Sequence, residues 1–203
     1  IIIVDNNSTD NSLDVAKEVI PNCVYVLNKV NYGYAKGMNI GISKCTGEYV
    51  LILNNDVYLH EDYIKKCILF LLNNERAGCC AGSEFLWCNG EKTSIQVSKG
   101  PLFLKRRIQL KEYKTGDTIQ QGFGVSGSFA IYRSAAIMDL ISISGYFFDE
   151  SFETGWEDTD VRFRLFYRGW ETYYLPEAVA WHAGSGSAGE KKTLVSKKMD
   201  YQI

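Results

Sequence analysis

Asp56 and His182 lie far apart in the chain, yet each closes a strand-like run, and the acidic stretch Trp156-Glu157-Asp158-Thr159-Asp160, at a predicted helix start, falls between them. A hard divalent cation takes oxygen ligands, keeps several waters and bridges to substrate phosphates, so one or two protein carboxylates suffice to hold it. A carboxylate at a helix amino terminus stays ionised because the helix dipole favours negative charge, which leaves Asp158 able to accept a proton. A metal-held diphosphate leaving group beside a general base makes a site for group transfer from an activated donor. Each of these residues also has a plain structural reading. Asp56 can be a turn residue after Asn54-Asn55, His182 a histidine satisfied within the fold, and the acidic stretch a complement to the helix dipole.

Local spacing separates the roles further. Thr154 and Glu157 have the spacing of a capping box, which would occupy Glu157 with the backbone and leave Asp158 freer for chemistry. Asp158 and Asp160 point to different sides of a helix. His182 runs into Ala183-Gly184-Ser185-Gly186-Ser187, a small-residue loop whose N–H groups can approach phosphate.

These side chains need strands and helices to place them. Ile1 to Val4 is a short apolar run entering the polar loop Asp5-Asn6-Asn7-Ser8-Thr9-Asp10, as a buried strand would. Thr9 is the expected cap of a helix carrying Leu13, Ala16 and Ile20 on one face, closed by Pro21. Residues 23–27 read as a strand, 34–45 as a helix, 49–53 as a strand ending at Asn54-Asn55-Asp56, and 61–74 as an amphipathic helix. Ligands bind at the carboxyl edge of open α/β sheets. Gly33, Gly37 and Gly41 recur every four residues, and each glycine inside a helix costs about 1 kcal/mol relative to Ala. Something must approach that face, either a sheet packed tightly on the helix or a ligand near its amino terminus. Residues 98–121 read as a long functional loop. A strand over 127–132, a short helix from Ser134, a helix over 157–168 stopped by Gly169, and strands over 170–175 and 178–182 complete the chain. Strand and helix alternate in the first half and strand-rich, irregular material fills the second, which predicts an α/β sandwich with an appended acceptor-side region.

With 203 residues, 46% of them hydrophobic, the chain can bury one core, so one domain is expected over 1–203, with halves at 1–97 and 98–203. A net charge of −2 with dispersed Lys and Arg excludes a nucleic-acid footprint. The cluster Lys105-Arg106-Arg107 is either a solvated loop or an anion contact. Six cysteines without paired spacing read as reduced thiols, mostly buried, in a cytoplasmic protein. No apolar run approaches the ~20 residues that span a bilayer. Ile1 begins the chain as though a strand were already under way, so a fragment lacking an amino-terminal strand is expected, with residues 191–203 starting a further helix. Gly122-Phe123-Gly124-Val125-Ser126-Gly127 matches the dinucleotide fingerprint in letters. Its context argues against that reading, because a polar loop precedes it and an apolar strand follows it.

Three segments taken together resemble the family 2 inverting glycosyltransferases of GT-A fold, especially bacterial rhamnosyl- and related sugar transferases. They are Val4-Asp5-Asn6-Asn7-Ser8-Thr9-Asp10; Asn31-Tyr32-Gly33-Tyr34-Ala35-Lys36-Gly37-Met38-Asn39 through Leu53-Asn54-Asn55-Asp56; and Trp156-Glu157-Asp158-Thr159-Asp160 followed by His182. The resemblance implies a Rossmann-like nucleotide-binding α/β/α sandwich with a mixed sheet. It also implies a nucleotide-diphosphate sugar donor contacted by Asp5, Asn31, Gly33, Lys36, Gly37, Asn39, Asn54 and Asn55. Asp56 matches the last acid of the family's DxD motif, while Asn54 replaces the first acid by an amide. His182 would complete a site for Mg²⁺ or Mn²⁺. Asp158 falls at the family's catalytic base with Glu157 beside it, and Gly127, Ser128 and Trp156 fall on the acceptor side.

The implied reaction is a single displacement with inversion, onto a hydroxyl of a glycan or lipid-linked acceptor, in bacterial polysaccharide or cell-envelope synthesis. Its implied location is the cytoplasm, with peripheral association at the inner face of the membrane left open. A catalytically silent nucleotide-sugar or glycan-binding domain is the alternative.

Overall fold

The structure is a computed structural model that describes residues 1–88, 90–98, 102–104, 110–112, 118–152 and 155–183. Two long strands run parallel through its centre, β5 (Ala77–Cys88) and β11 (Glu171–His182). Near their starts they are flanked by β10 (Ile131–Arg133) and then β3 (Tyr49–Leu51) on one side and by β9 (Gln120–Gly122) on the other. Near their ends the flanking strands are β6 (Glu91–Ser98) and β4 (Val57–Leu59). The resulting seven-stranded sheet is mixed, and it interleaves strands from both sides of residue 97. A separate parallel pair, β1 (Ile2–Asp5) and β2 (Val24–Leu27), carries the chain's beginning. A third small sheet pairs β7 (Leu102–Leu104) with β8 (Leu110–Glu112).

Adjacent residues on β5 show how the layers form, since successive side chains of a strand point to opposite faces. Cys80 turns its thiol to the Cys67 carbonyl of α3 (Tyr63–Leu72). Cys79 instead faces Tyr132 and the charge of Arg162, which lies on α5 (Glu157–Tyr167). α4 (Ser134–Ser144) packs with α5, tied by Asp139 to Arg168 at 2.8 Å. The sheet is therefore covered on both faces, and its core comes from Tyr63, Leu71, Phe129, Ile131, Leu140, Phe147 and Leu165, all essentially inaccessible to water. Burying a side chain of this size contributes about 1.5–3 kcal/mol.

Several boundaries differ from the expected ones. α1 (Ser12–Val19) begins after Asn11, not at Thr9, because the Asp10 carboxylate accepts the Ser12 N–H at 3.0 Å and turns the chain there. The two strands expected over 170–175 and 178–182 are one, β11, whose pairing shifts register between Leu175 and Val179 where Pro176 cannot donate. Residues 98–121 contain the β7–β8 pair and the start of β9, where a structureless loop was expected. Of the cysteines, Cys67, Cys79 and Cys80 are buried, Cys23 and Cys45 are partly covered and Cys88 is exposed. No described helix is long and apolar enough to cross a membrane. The expected cap at Thr154, the Gly184-Ser185-Gly186-Ser187 loop, the Lys105-Arg106-Arg107 cluster and the helix over 191–203 lie outside the described residues.

The glycine spacing on α2 (Tyr34–Ile42) is explained by packing. A Cβ on Gly37 would stand 2.9 Å from the Asn6 side-chain nitrogen, and one on Gly41 would stand 2.9 Å from Val4 of β1. Helix and strand approach so closely that neither position has room for a methyl group.

Candidate functional site

β4 and β11 run antiparallel with His182 opposite Val57, so the residue before β4 meets the end of β11. The Ala183 N–H donates to the Asp56 carbonyl at 3.0 Å, and His182 Nε2 stands 3.2 Å from Asp56 Oδ1. On the other side of the ring, Nδ1 is 2.7 Å from Glu84 Oε1. β5 places Glu84 there, because Glu84 pairs with Ala180 and Leu86 with His182, putting Glu84 and His182 on one face of the parallel pair. The Glu84 hydrogen bond and the Asp56 charge hold the imidazole above its usual pKa, against burial, which pulls it down.

Glu84 was not anticipated. A signal existed, since an acid within a buried strand is rarely tolerated unless paired, but the sequence gives no way to find its partner. Among the described residues, no group of three or more His, Cys, Asp and Glu is arranged to hold a metal ion. The two donors that are present do suit one. Ligands on adjacent vertices of an octahedron with bonds of about 2.1 Å stand roughly 3 Å apart, close to the Asp56–His182 separation.

Asp158 lies in the first turn of α5, where its carboxylate is ion-paired with Arg162 one turn later. Arg162 is 9% exposed and also donates to Thr159 Oγ1 at 3.2 Å. Asp160 turns the other way and pairs with Arg164, as expected for positions two apart. The letters of the dinucleotide fingerprint belong to this arrangement. No helix follows Gly127, and a Cβ on Gly124 would fall 2.1 Å from Arg162 Cδ. A Cβ on Gly127 would fall 2.9 Å from Asp158 Oδ2. The glycines form a floor on which the Asp158–Arg162 pair lies. Arg162 carried no local signal beyond its i,i+4 spacing from Asp158.

Tyr34 joins these parts. Its hydroxyl donates to Asn54 Oδ1 at 3.1 Å, while the Asn54 N–H donates to the Ser128 carbonyl at 2.9 Å. Burial pushes the phenol pKa up, and the charges of Glu157, Asp158 and Asp56 push it further in the same direction. The carboxylates expected to do chemistry thus all bear on the charge of one hydroxyl. Trp156, in the left-handed conformation at φ 76° and partly exposed, starts α5 at the rim. Asn55 sits exposed in the turn before β4, and Gly127 and Ser128 form the turn before β10.

The other residues expected on the donor side are held by neighbouring loops. Asp5 accepts the Ser8 N–H at 3.2 Å, and Asn31 Oδ1 accepts the Gly33 N–H at 2.9 Å. Gly33 has φ 81°, and its carbonyl accepts from Asn6 Nδ2 at 2.8 Å. Asn39 spends both ends of its amide on Phe148, donating to the carbonyl at 2.8 Å and accepting the N–H at 2.9 Å. Lys36 is 3.6 Å from Glu150 and lies over the Tyr32 ring.

Comparison with known proteins places the fold. The chain is 26% identical over 191 residues to the poly-β-1,6-N-acetyl-D-glucosamine synthase of Staphylococcus aureus, covering 89% of this chain and 42% of that protein. It is 31% identical over 100 residues to an uncharacterized glycosyltransferase of Haemophilus influenzae, covering 48% of this chain and 39% of that one. The chain thus spans less than half the length of these relatives. Among solved structures, GalNAc-T7 with UDP, GalNAc and Mn²⁺ superposes with a TM-score of 0.69 at 13% identity, over 90% of this chain and 37% of that one. S. aureus TarS 1–349 with UDP-GlcNAc superposes with a TM-score of 0.60 at 20% identity, over 89% and 48%. The fold is the GT-A fold expected from the sequence. Residues 1–141 match the family model described as glycosyl transferase family 2, and the chain belongs to that family.

Proposed function

We propose that the chain is the catalytic part of an inverting, metal-dependent glycosyltransferase that moves a sugar from a UDP-linked donor to a hydroxyl of a glycan or lipid-linked acceptor. The observation that carries this reading is the run of contacts between the two acids: His182 stands beside Asp56, Asn54 two residues earlier donates its N–H to the Ser128 carbonyl, and Gly127 lies against Asp158. UDP and UDP-GlcNAc in the superposed structures support a nucleotide-sugar donor. The names of these relatives favour an N-acetylhexosamine over a rhamnosyl group, and the synthase among them favours a polysaccharide as product.

In this mechanism Asp158 takes the proton of the acceptor hydroxyl, whose oxygen forms a bond to the anomeric carbon. The bond from that carbon to the diphosphate oxygen breaks, the electron pair leaves with the diphosphate, and configuration inverts. Arg162 holds the Asp158 carboxylate in place, and Gly127 leaves room for it. Glu157 adds negative charge beside the base, and Trp156, Gly127 and Ser128 border the acceptor. Asp5, Asn31, Gly33, Lys36, Gly37, Asn39 and Asn55 shape the donor side, and Asn54 is held by Tyr34. Asp56 and His182 would hold a divalent cation, which when bound neutralises charge on the departing diphosphate. Positioning and charge stabilisation supply the rate, with no covalent enzyme intermediate.

The test is UDP release from UDP-GlcNAc and UDP-GalNAc with Mn²⁺ or Mg²⁺, comparing the wild type with Asp158→Asn. Loss of a general base predicts a fall in kcat of about 10²–10⁴ with donor affinity retained. Turnover unchanged in the variant, or absent from the wild type across a full donor panel, would rule the mechanism out.

A further inference from the structure

The inference that follows rests on the proposed cation site and concerns a residue outside it. Glu84 lies on the central strand β5 and is 9% exposed, in a stretch where Ser83, Gly82, Ala81 and Cys80 are also buried. A carboxylate there is costly unless a partner satisfies it. Its partner is the His182 ring, 2.7 Å from Oε1 to Nδ1. The contact is fixed by the backbone, because the parallel β5–β11 register holds Glu84 opposite Ala180, two residues before the Leu86–His182 pair and on the same face. Neither residue is free to slide without shifting two buried strands.

This geometry settles which nitrogen does what. An ionised carboxylate only accepts hydrogen bonds, so beside one Nδ1 carries the hydrogen. The lone pair of a neutral ring is then left on Nε2, and Nε2 faces Asp56 Oδ1 at 3.2 Å. Two lone-pair donors facing one another at this separation repel unless a positive charge lies with them; in the metal-free protein a proton on Nε2 meets that need, and a divalent cation can take its place. We propose that Glu84 is a positioning residue that locks His182 in the Nδ1–H tautomer, aims Nε2 toward Asp56, and so sets the affinity of the site for a divalent cation. Carboxylates that orient a metal-bound histidine in this way change metal affinity by about 10–100-fold when removed.

The experiment measures Mn²⁺ binding directly, by electron paramagnetic resonance of free Mn²⁺, with the metal alone and again with UDP present. Wild type, Glu84→Ala, Glu84→Gln, His182→Ala and Asp56→Ala are compared. Glu84→Ala is expected to weaken Mn²⁺ by about 10–100-fold, while Glu84→Gln, whose amide oxygen still accepts from Nδ1–H, stays within about threefold of wild type. Because a buried alanine can impair folding, ¹⁵N chemical shifts of the His182 ring in the Mg²⁺-loaded wild type give an independent reading, expected to show hydrogen on Nδ1. Mn²⁺ affinity unchanged in Glu84→Ala, equal losses in both Glu84 variants, or hydrogen on Nε2 overturns the role of Glu84. If His182→Ala and Asp56→Ala also bind Mn²⁺ as the wild type does, the cation site itself is overturned, so the two failures are told apart.

Discussion

Replacing Gly124 by alanine adds one methyl group at the point where α5 presses on the loop before β10. The ideal Cβ would lie 2.1 Å from Arg162 Cδ, 2.6 Å from Cγ and 2.8 Å from Nε. Carbon atoms in ordinary contact sit about 3.5–4.0 Å apart, so the stem must retreat by more than about 1 Å. Arg162 cannot do this quietly. It is buried, and its guanidinium is committed to Asp158 and Thr159. If the side chain leaves, a largely buried ion pair is broken, which costs about 3–5 kcal/mol in a dry site. The Asp158 side chain is 29% exposed, so water offsets part of this and about 2–3 kcal/mol remains. If the backbone yields instead, overpacking costs about 1–3 kcal/mol. Either route lowers the melting temperature, by roughly 2–12 °C for a domain of this size. Asp158 also loses the group that orients it, and a displacement of about 1 Å in a reacting group costs about 10²-fold in rate.

Urea unfolding followed by tryptophan fluorescence gives the stability, and UDP release gives the rate. Gly90→Ala serves as the control. Gly90 has φ 80°, unlike Gly124, and nothing lies within 4 Å of its added Cβ, so only the backbone cost of about 1–2 kcal/mol applies and the rate should not change. A Gly124→Ala protein within about 0.5 kcal/mol of wild type, with its rate intact, would show that Arg162 is not wedged against this loop, and the account of the base would fail with it.

Two further outcomes follow from individual contacts. Tyr34→Phe removes the hydroxyl that donates to Asn54 at 3.1 Å, so it should lower stability by about 1 kcal/mol and weaken UDP binding measured by calorimetry; unchanged UDP affinity would exclude a role for Tyr34 in holding the donor side. Asp139 is held below its usual carboxylate pKa of 3.8 by the Arg168 side chain, then by the Trp170 N–H. A depressed folded-state pKa means that this contribution is present above pH 3.8 and is lost as pH falls through the lower folded value. Asp139→Asn should therefore lower stability by about 0.5 kcal/mol at pH 7 while losing less between pH 4 and pH 2 than the wild type, as acid titration by circular dichroism would show.

How far the residues could be read in advance depended on the range of the physics involved. The α2 helix, the α3 helix with Cys67 and Leu71 on its buried face, and the apolar runs of β1 and β3 were legible because periodicity and local turn chemistry act over a few residues, though Ile64 and Leu72, at helical spacing from these, are exposed. Their ends were less so, as α1 shows. There the Asp10 turn displaced the expected Thr9 cap, since several polar residues in one loop can each satisfy the same N–H groups. The β7–β8 pair was missed because a short strand exists only through a partner, and neither strand has strong alternation of its own.

The site divides along the same line. By type and spacing the sequence alone determined a carboxylate after β3, an acidic start to α5, a histidine at the end of β11, and glycines wherever something must come close. Only the tertiary structure decided what each would meet. The β5–β11 register put Glu84 against His182, the β4–β11 register put Asp56 on the other side of the ring, and the approach of α5 gave Gly124 and Gly127 to Arg162 and Asp158. Hydrogen bonds and ion pairs act over a few ångströms in space and carry no trace of how far apart their partners lie along the chain. Side-chain chemistry could therefore be read from the letters, while the pairing of those side chains had to wait for the fold to bring them together.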